Sequence, residues 1–297
     1  MMVSLLQDIQ TPKHSLQEFS ALTHRILHHL PNVITHTEKV RGYLIHASQA
    51  AGTLKYVRPV NERLFIDEPS QFLQQVEHLQ AVFTRIQSGE RIFSPNEHSL
   101  INGVLYTMQQ SIGAGLDLLS NPNSARKHVG NRFEELMKSV FDEVGIANKK
   151  TVLQIPYETE EGSKLYKCEN DIVLSGQPEV QSDSSMIEEG EVVVSVKTTS
   201  KDRMGKMFID KMLLESFTQK HLKVIGIFNH DVQRKQSDNI SYTLVSGLFL
   251  VYTQFLTKLD GVYYLDLPPK ADQAPFNRHL KAVSTLLIED IWELLGT

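Results

Sequence analysis

Cysteine is almost missing: Cys168 stands alone among 297 residues. The chain can therefore close no disulfide within itself and build no thiolate metal cluster, which fits a reducing interior. No run reaches the roughly 18 apolar residues that a membrane span requires. The opening MMVSLLQDIQTPKH has a short apolar run but neither a basic segment ahead of it nor a small-residue cleavage site, so no secretory leader is expected. Internal repeats are lacking, as is a glycine-rich phosphate loop after any strand. Neither sign of charge dominates, with 30 basic against 35 acidic residues and a net −5. That balance argues against a sequence-blind DNA coat. It leaves room for a nucleic-acid enzyme, whose metal site needs carboxylates and whose contact face is set by local charge. A hydrophobic fraction of 41% and this length allow a substantial core, as one large or two modest domains.

What is present reads first as helix. Leu16, Phe19, Leu22, Ile26 and Leu27 recur near helical spacing up to Pro31, and a further apolar-spaced stretch covers roughly 36–48. AGTLKYVRPVNERLFIDEP is irregular or holds a short strand. Pro69-Ser70 opens a helix with Phe72, Val76, Leu79, Phe83 and Ile86 on one face, ended by Gly89. Leu100, Val104, Met108, Ile112 and Leu116 mark another over 98–119. PNSARK, rich in turn residues, reads as a joint, dividing a mostly helical region, 1–120, from a second unit, 121–297. GNRFEELMKSVFDEVGI follows as a strongly amphipathic helix stopped at Gly145. TVLQIPYET and the short YKCENDIVLSG read as strands, 176–190 as an exposed acidic loop, and EVVVSV as the central strand. A helix from about 202 to 221, the strand LKVIGIFN, a strand or helix over 240–259, the strand DGVYYLDLPP and a last helix striped by Leu280, Val283, Leu287, Ile291 and Leu294 complete the chain. This order predicts an α/β core with a mixed central sheet.

The central strand ends on a lysine in VVVSVKTTSKDR. An ammonium at that place must reach solvent or find a counter-charge, because an unpaired one in a core costs several kcal/mol. Asp171 sits at the edge of the apolar run in CENDIVL, Asp210 lies thirteen positions beyond Lys197 in the following helix, and Glu134 and Glu135 lie on a helix expected to pack on the same sheet. Carboxylates from several elements around one lysine suit phosphodiester cleavage with a divalent cation, since Mg²⁺ takes oxygen ligands and acidifies a bound water. A strand-end ion pair without catalysis is the plainer reading of the same residues.

The stretch from Asp171 through SVKTTSKDR to Asp210 resembles the PD-(D/E)XK nuclease superfamily. It is similar, more narrowly, to type II restriction endonucleases that cut sites containing CC and GG. That branch uses Ser-Xaa-Lys in place of the usual acid two before the lysine and moves the second acid into the next helix. Ser195, Lys197 and Asp210 match the displaced pattern, with Asp where the branch has Glu; Glu215 is the fallback for that acid. The resemblance implies a restriction-endonuclease-like core over roughly 125–230. It implies Asp171, Asp210 and Glu134 as metal ligands for Mg²⁺, with Mn²⁺ as a substitute, and Lys197 at the attacking water. It also implies that Lys201, Asp202 and Arg203 read guanine and cytosine edges in the major groove, whereas a solvated helix start capped by Ser200 is the structural alternative. A homodimer or tetramer on double-stranded DNA, products with 5′-phosphates, a companion DNA methyltransferase and the cytoplasm of a prokaryote follow from the same resemblance. The rivals are a repair or recombination nuclease of the superfamily and an inactive sequence-specific DNA-binding protein. Residues 1–120 match no family here; flanking-DNA or dimer contacts suit them.

Three other features are weaker. His24 and His28 share a helical face, without a third ligand. His230 and Asp231 after LKVIGIFN lie at the sheet edge or in a turn. VQRKQSD at 232–238 is basic and suits backbone phosphates or a solvated loop.

Overall fold

In the computed structural model, which describes residues 3–50, 53–201, 203–236 and 239–297, helix and sheet starts follow local chemistry closely. Helices α1 (Leu5–Gln10) and α2 (Leu16–Val33) are capped by the side chains of Ser4 and Ser15. A four-stranded antiparallel sheet comes next, made of β1 (His36–Val40), β2 (Tyr43–Ala50), β3 (Thr53–Tyr56) and β4 (Val60–Asn61). The helical spacing expected over 36–48 is thus overturned. Tyr43, Ile45 and Ala47 are buried in strict alternation, the period of a strand. Arg41 and Gly42 both take positive φ, the two-residue hairpin turn that suits strand twist.

Helices α3 (Pro69–Gln87), α4 (Pro95–Leu119) and α5 (Pro122–Glu143) follow. α4 opens with a full capping box between Ser94 and Glu97. PNSARK forms the first turns of α5 rather than a run of turns. Asn121 caps α5 by accepting from Ser124 N at 2.9 Å, and Pro122 occupies the first helical turn. Asn, Pro and Ser serve helix starts as well as turns.

The main sheet holds six strands in the order β12–β11–β8–β7–β6–β5. These are β5 (Ala147–Thr159), β6 (Gly162–Ser175), β7 (Val192–Lys197), β8 (Lys223–Phe228), β11 (Gly261–Tyr264) and β12 (Leu280–Ala282). β5, β6 and β7 pair antiparallel, while β7, β8, β11 and β12 run parallel, so the sheet is mixed as expected. Leu280 belongs to this sheet rather than to the last helix, because its segment pairs with β11. The helical end of the chain runs from α8 (Val283–Thr285) through a π-helical turn (Leu286–Asp290) into α9 (Ile291–Leu295).

β7 is buried on both faces. Val192, Val194 and Val196 join Phe133 of α5 and the N-terminal helices in one apolar core, whereas Val193 packs with Leu214 on the opposite face. Leu214 belongs to α6 (Met204–Thr218), which begins without a side-chain cap at Arg203, later than the sequence pattern places it. A hairpin of β9 (Val232–Gln236) and β10 (Asn239–Tyr242), then α7 (Ser246–Phe255), complete the chain. Val232 and Ile240 of this hairpin pack on Tyr43 and Ile45, joining the small sheet to the end of the large one. The result is a mixed central sheet flanked by helices, with a mainly helical N-terminal region. No described helix is long and apolar enough to cross a membrane.

Candidate active site

The site begins with an irregularity in pairing. Lys149 pairs with Val173 and Thr151 with Asn170, so Asp171 and Ile172 together oppose the single residue Lys150. This is a β-bulge, which re-aims side chains and bends the strand. Its effect is visible in the packing: Cys168 and Val173, five residues apart, share one core cluster while Ile172 faces the other.

β6 and β7 pair only as far as Ile172↔Val194. Beyond that point the Asp171 carboxylate takes the place of main chain. Its Oδ2 accepts from Val196 N at 2.9 Å, from Ser195 Oγ at 3.5 Å, and from Lys197 Nζ in a direct ion pair. The expected counter-charge for the strand-end lysine is therefore Asp171. The pair is partly open, with side-chain exposures of 24% for Lys197 and 13% for Asp171.

Glu134 reaches the same place from α5. Burial pushes its carboxyl up from the ordinary value, and the negative charge of Asp171 adds to this while Lys197 and Lys150 oppose it. Among the described residues nothing hydrogen-bonds or ion-pairs with its carboxylate. Glu135 is turned away, accepting from Lys13 N at 2.8 Å and Arg132 at 2.7 Å, and ties α5 to the N-terminal segment. Lys150, opposite the bulge, pairs with Glu169 at 3.3 Å and contributes positive charge to both Glu134 and Asp171. Sequence reasoning missed it, because only the non-local bulge brings it to the acids.

The second acid of the displaced pattern is paired on its own helix. Asp210 pairs with Lys206 one turn earlier on α6, and its charge acts on Cys168, whose thiol is pushed up mainly by burial. It makes no hydrogen bond or ion pair to Asp171 or Lys197 among the described residues. Glu215 lies farther off. It accepts from Leu222 N at 3.2 Å and pairs with His221 at 2.8 Å. Those contacts lie where β8 starts, beside Val192, while Lys197 pairs with Phe228 at the other end. Five strand steps separate the two ends, about 16 Å.

Lys197 and Glu134 open into a cleft of about 1130 Å³. One wall is the 54–59 segment of the small sheet and the start of α5, and the other is the loop after β7 with the β9 hairpin. Lys55, Arg58, Arg126, Lys197, Lys201, Arg203 and Arg234 line it against the acids Asp117 and Glu134. A chain with net −5 thus gathers positive charge on one face, the arrangement that attracts a polyanion. Asp117 holds Arg58 with two bonds of 2.9 Å, and Arg234 lies over the Tyr56 ring. Lys201 donates to Gln233 at 3.2 Å. Asp202 lies outside the described residues, as do Ser237 and Asp238 of the basic 232–238 stretch. His24 and His28 contact each other at 3.2 Å, and among the described residues no three His, Cys, Asp or Glu side chains assemble as a metal site.

Two carboxylates nevertheless suit a hard dication. Asp171 and the unpartnered Glu134 repel each other in a half-buried corner, and Mg²⁺ is bound through one or two carboxylates with water and phosphate completing its shell.

Comparison with known proteins places the fold. The type IIP restriction endonuclease Kpn2I superposes with a TM-score of 0.70 at 18% identity, over 95% of this chain and 91% of that one. The restriction endonuclease PspGI, in complex with its substrate DNA, gives a TM-score of 0.42 at 10% identity, over 77% of this chain and 96% of that one. No protein-family model matches the chain, and no curated protein does. The architecture is that of a restriction-endonuclease-like α/β fold. The Kpn2I likeness extends through the N-terminal helical region as well as the sheet.

Proposed function

We propose that the protein is a type II site-specific endonuclease that hydrolyses double-stranded DNA with Mg²⁺, or with Mn²⁺ in its place, leaving 5′-phosphates. The observation that carries this reading is the Asp171–Lys197 pair where two strands part, with Glu134 beside it, at the mouth of a cation-lined cleft.

Asp171 and Glu134 would hold the metal, which supplies an acidified water and neutralises charge on the phosphate oxygens. The protein's own residues do the rest. Val196 N fixes the Asp171 carboxylate in orientation. Lys197, whose ammonium has three donors, pairs with Asp171 and would serve the attacking water and the phosphate. Asp210 is the further acid of the scheme, and it must give up Lys206 to act there. The cleft cations bind phosphates, while Lys201, Asp202 and Arg203 read a palindrome containing CC and GG from a two-fold dimer or tetramer. The region 1–120 contributes the second wall, and a methyltransferase of matching specificity would protect the host's DNA in a prokaryotic cytoplasm.

Plasmid DNA incubated with the purified chain and Mg²⁺ tests the reading. Linear products that vanish with EDTA and with Asp171→Asn support it. Sequence-selective binding without cutting in either metal would establish the binding-protein alternative instead.

A further inference from the structure

The loop between β7 and α6 carries Lys201 and Arg203 into the cleft, and its anchor lies outside the catalytic corner. After Lys197↔Phe228 the parallel ladder continues briefly: Asn229 N donates to Lys197 O at 3.3 Å and His230 N to Thr198 O at 3.2 Å. At the next step a side chain replaces the main chain. Ser200 N donates to Asp231 Oδ1 at 2.8 Å. Ser200 O then accepts from Arg203 N and Met204 N, both at 3.0 Å, which turns the chain into α6.

Asp231 is a costly choice for a merely space-filling position. It is 1% exposed, and burial of a carboxylate disfavours its charged form. Two further donors hold it, Thr243 Oγ1 at 2.7 Å on Oδ1 and Tyr264 OH at 2.7 Å on Oδ2. Thr243 N also donates to Asp231 O at 2.8 Å, so the anchor is itself fixed from β11 and from the segment after β10. Two residues on, Gln233 accepts from Lys201 and ties the loop a second time.

From this geometry we propose that Asp231 is a positioning residue for sequence discrimination, holding the main chain at Ser200 so that Lys201 and Arg203 face DNA in one fixed register. The proposal rests on the reading of that loop as the base-contacting element. It assigns Asp231 no contact with the reacting phosphate.

The test compares Asp231→Ala, Asp231→Asn and Tyr264→Phe with the wild type on a library of randomised duplexes in Mg²⁺, by sequencing the cut ends. Asp231→Ala removes the acceptor for Ser200 N, so the ratio of cutting at the wild-type site to cutting at single-base variants falls at least about tenfold, the scale of one lost base contact. Asp231→Asn keeps Oδ1 as an acceptor and retains the ratio. Tyr264→Phe lowers Tm but leaves the Ser200 bond and the ratio intact. Ser200→Pro, which lacks the donated N–H and keeps the Asp231 cluster, covers the case in which Asp231→Ala does not fold, and is expected to relax discrimination alike. Equal relaxation by Tyr264→Phe, or an unchanged ratio in Asp231→Ala or Ser200→Pro, overturns the proposal. Hydrogen exchange provides an arm independent of cleavage. The Ser200 amide is expected to exchange at least about 100-fold more slowly than that of Lys201 in the wild type, and to lose that protection in Asp231→Ala. A wild type that cuts nothing removes the nuclease reading, and unprotected Ser200 separately removes the anchor.

Discussion

Replacing Lys197 by Met leaves the shape of the strand end nearly unchanged and strips from Asp171 its one direct counter-charge among the described residues. Two unit charges at about 4 Å attract by about 4 kcal/mol at an effective dielectric of 20. Solvent reaches both partners here, and each already gives up hydration to sit where it does. The net loss at pH 8 is therefore put at about 2 kcal/mol, between the values for exposed and buried pairs. Its pH dependence is the discriminating part. Without the lysine, Glu134 loses one of the positive charges that oppose burial and the charge of Asp171, and it takes up its proton at a higher pH than in the wild type. A carboxyl whose folded pKa exceeds its unfolded value binds more protons in the native state across that window, so stability falls as pH rises through it. The deficit of Lys197→Met against wild type should then be smaller near pH 4.5 and reach its full size by pH 8. Thermal melts read this as a Tm difference growing to about 3 °C. Mg²⁺ should narrow the gap at pH 8, because it can replace the lost positive charge and no longer competes with the lysine. At tenfold its Kd the ion stabilises by about 1.4 kcal/mol. A deficit equal at both pH values, or a variant no more responsive to Mg²⁺ than wild type, would refute the placement of Glu134 and Asp171 in one electrostatic unit.

Glu134→Gln should raise stability at pH 8 by less than about 1 kcal/mol while abolishing cleavage. The raised pKa means that its ionised form opposes folding, so the gain fades towards pH 4.5, and urea melts at both values check it. Arg126→Ala should weaken DNA binding alike on all sequences and reduce the magnitude of the salt slope of log K by about 1, measured by titration at several salt concentrations. Arg203→Ala should instead cost about 1–3 kcal/mol on the preferred site alone. Glu215→Ala should lower Tm through the lost contacts to Leu222 and His221 and leave cleavage rates unchanged, whereas Asp210→Asn should impair cleavage.

The parts of this arrangement that are local in sequence were legible from it. The run VVVSV is buried on both faces, and the lysine ending it needed a partner that an acid at the head of IVL could supply. Both residues meet as expected because β6 and β7 are adjacent strands. The helix bearing Glu134 shows its apolar stripe plainly, and Phe133, Leu136 and Met137 are fully buried. What escaped depends on pairing between distant segments or on residues with two uses. The bulge that brings Lys150 to the site exists only in the register of β5 on β6. Arg41-Gly42 was the sole short-range sign of a hairpin in a stretch whose apolar residues also fit a helix. Asn121-Pro122 signals a helix start as readily as a turn. Asp231 stood out only as an acid after a strand, since its three donors come from residues 31 positions before it and 12 and 33 after it.

The most direct measurement is the sequencing of DNA ends produced from a mixed-sequence duplex pool by wild-type protein and Asp171→Asn, side by side, in Mg²⁺. The account predicts 5′-phosphorylated ends from the wild type that share one palindromic element containing CC and GG, and none above background from the variant. Ends scattered at random would contradict it, as would the same discrete ends from a chain whose Asp171 carboxylate is gone.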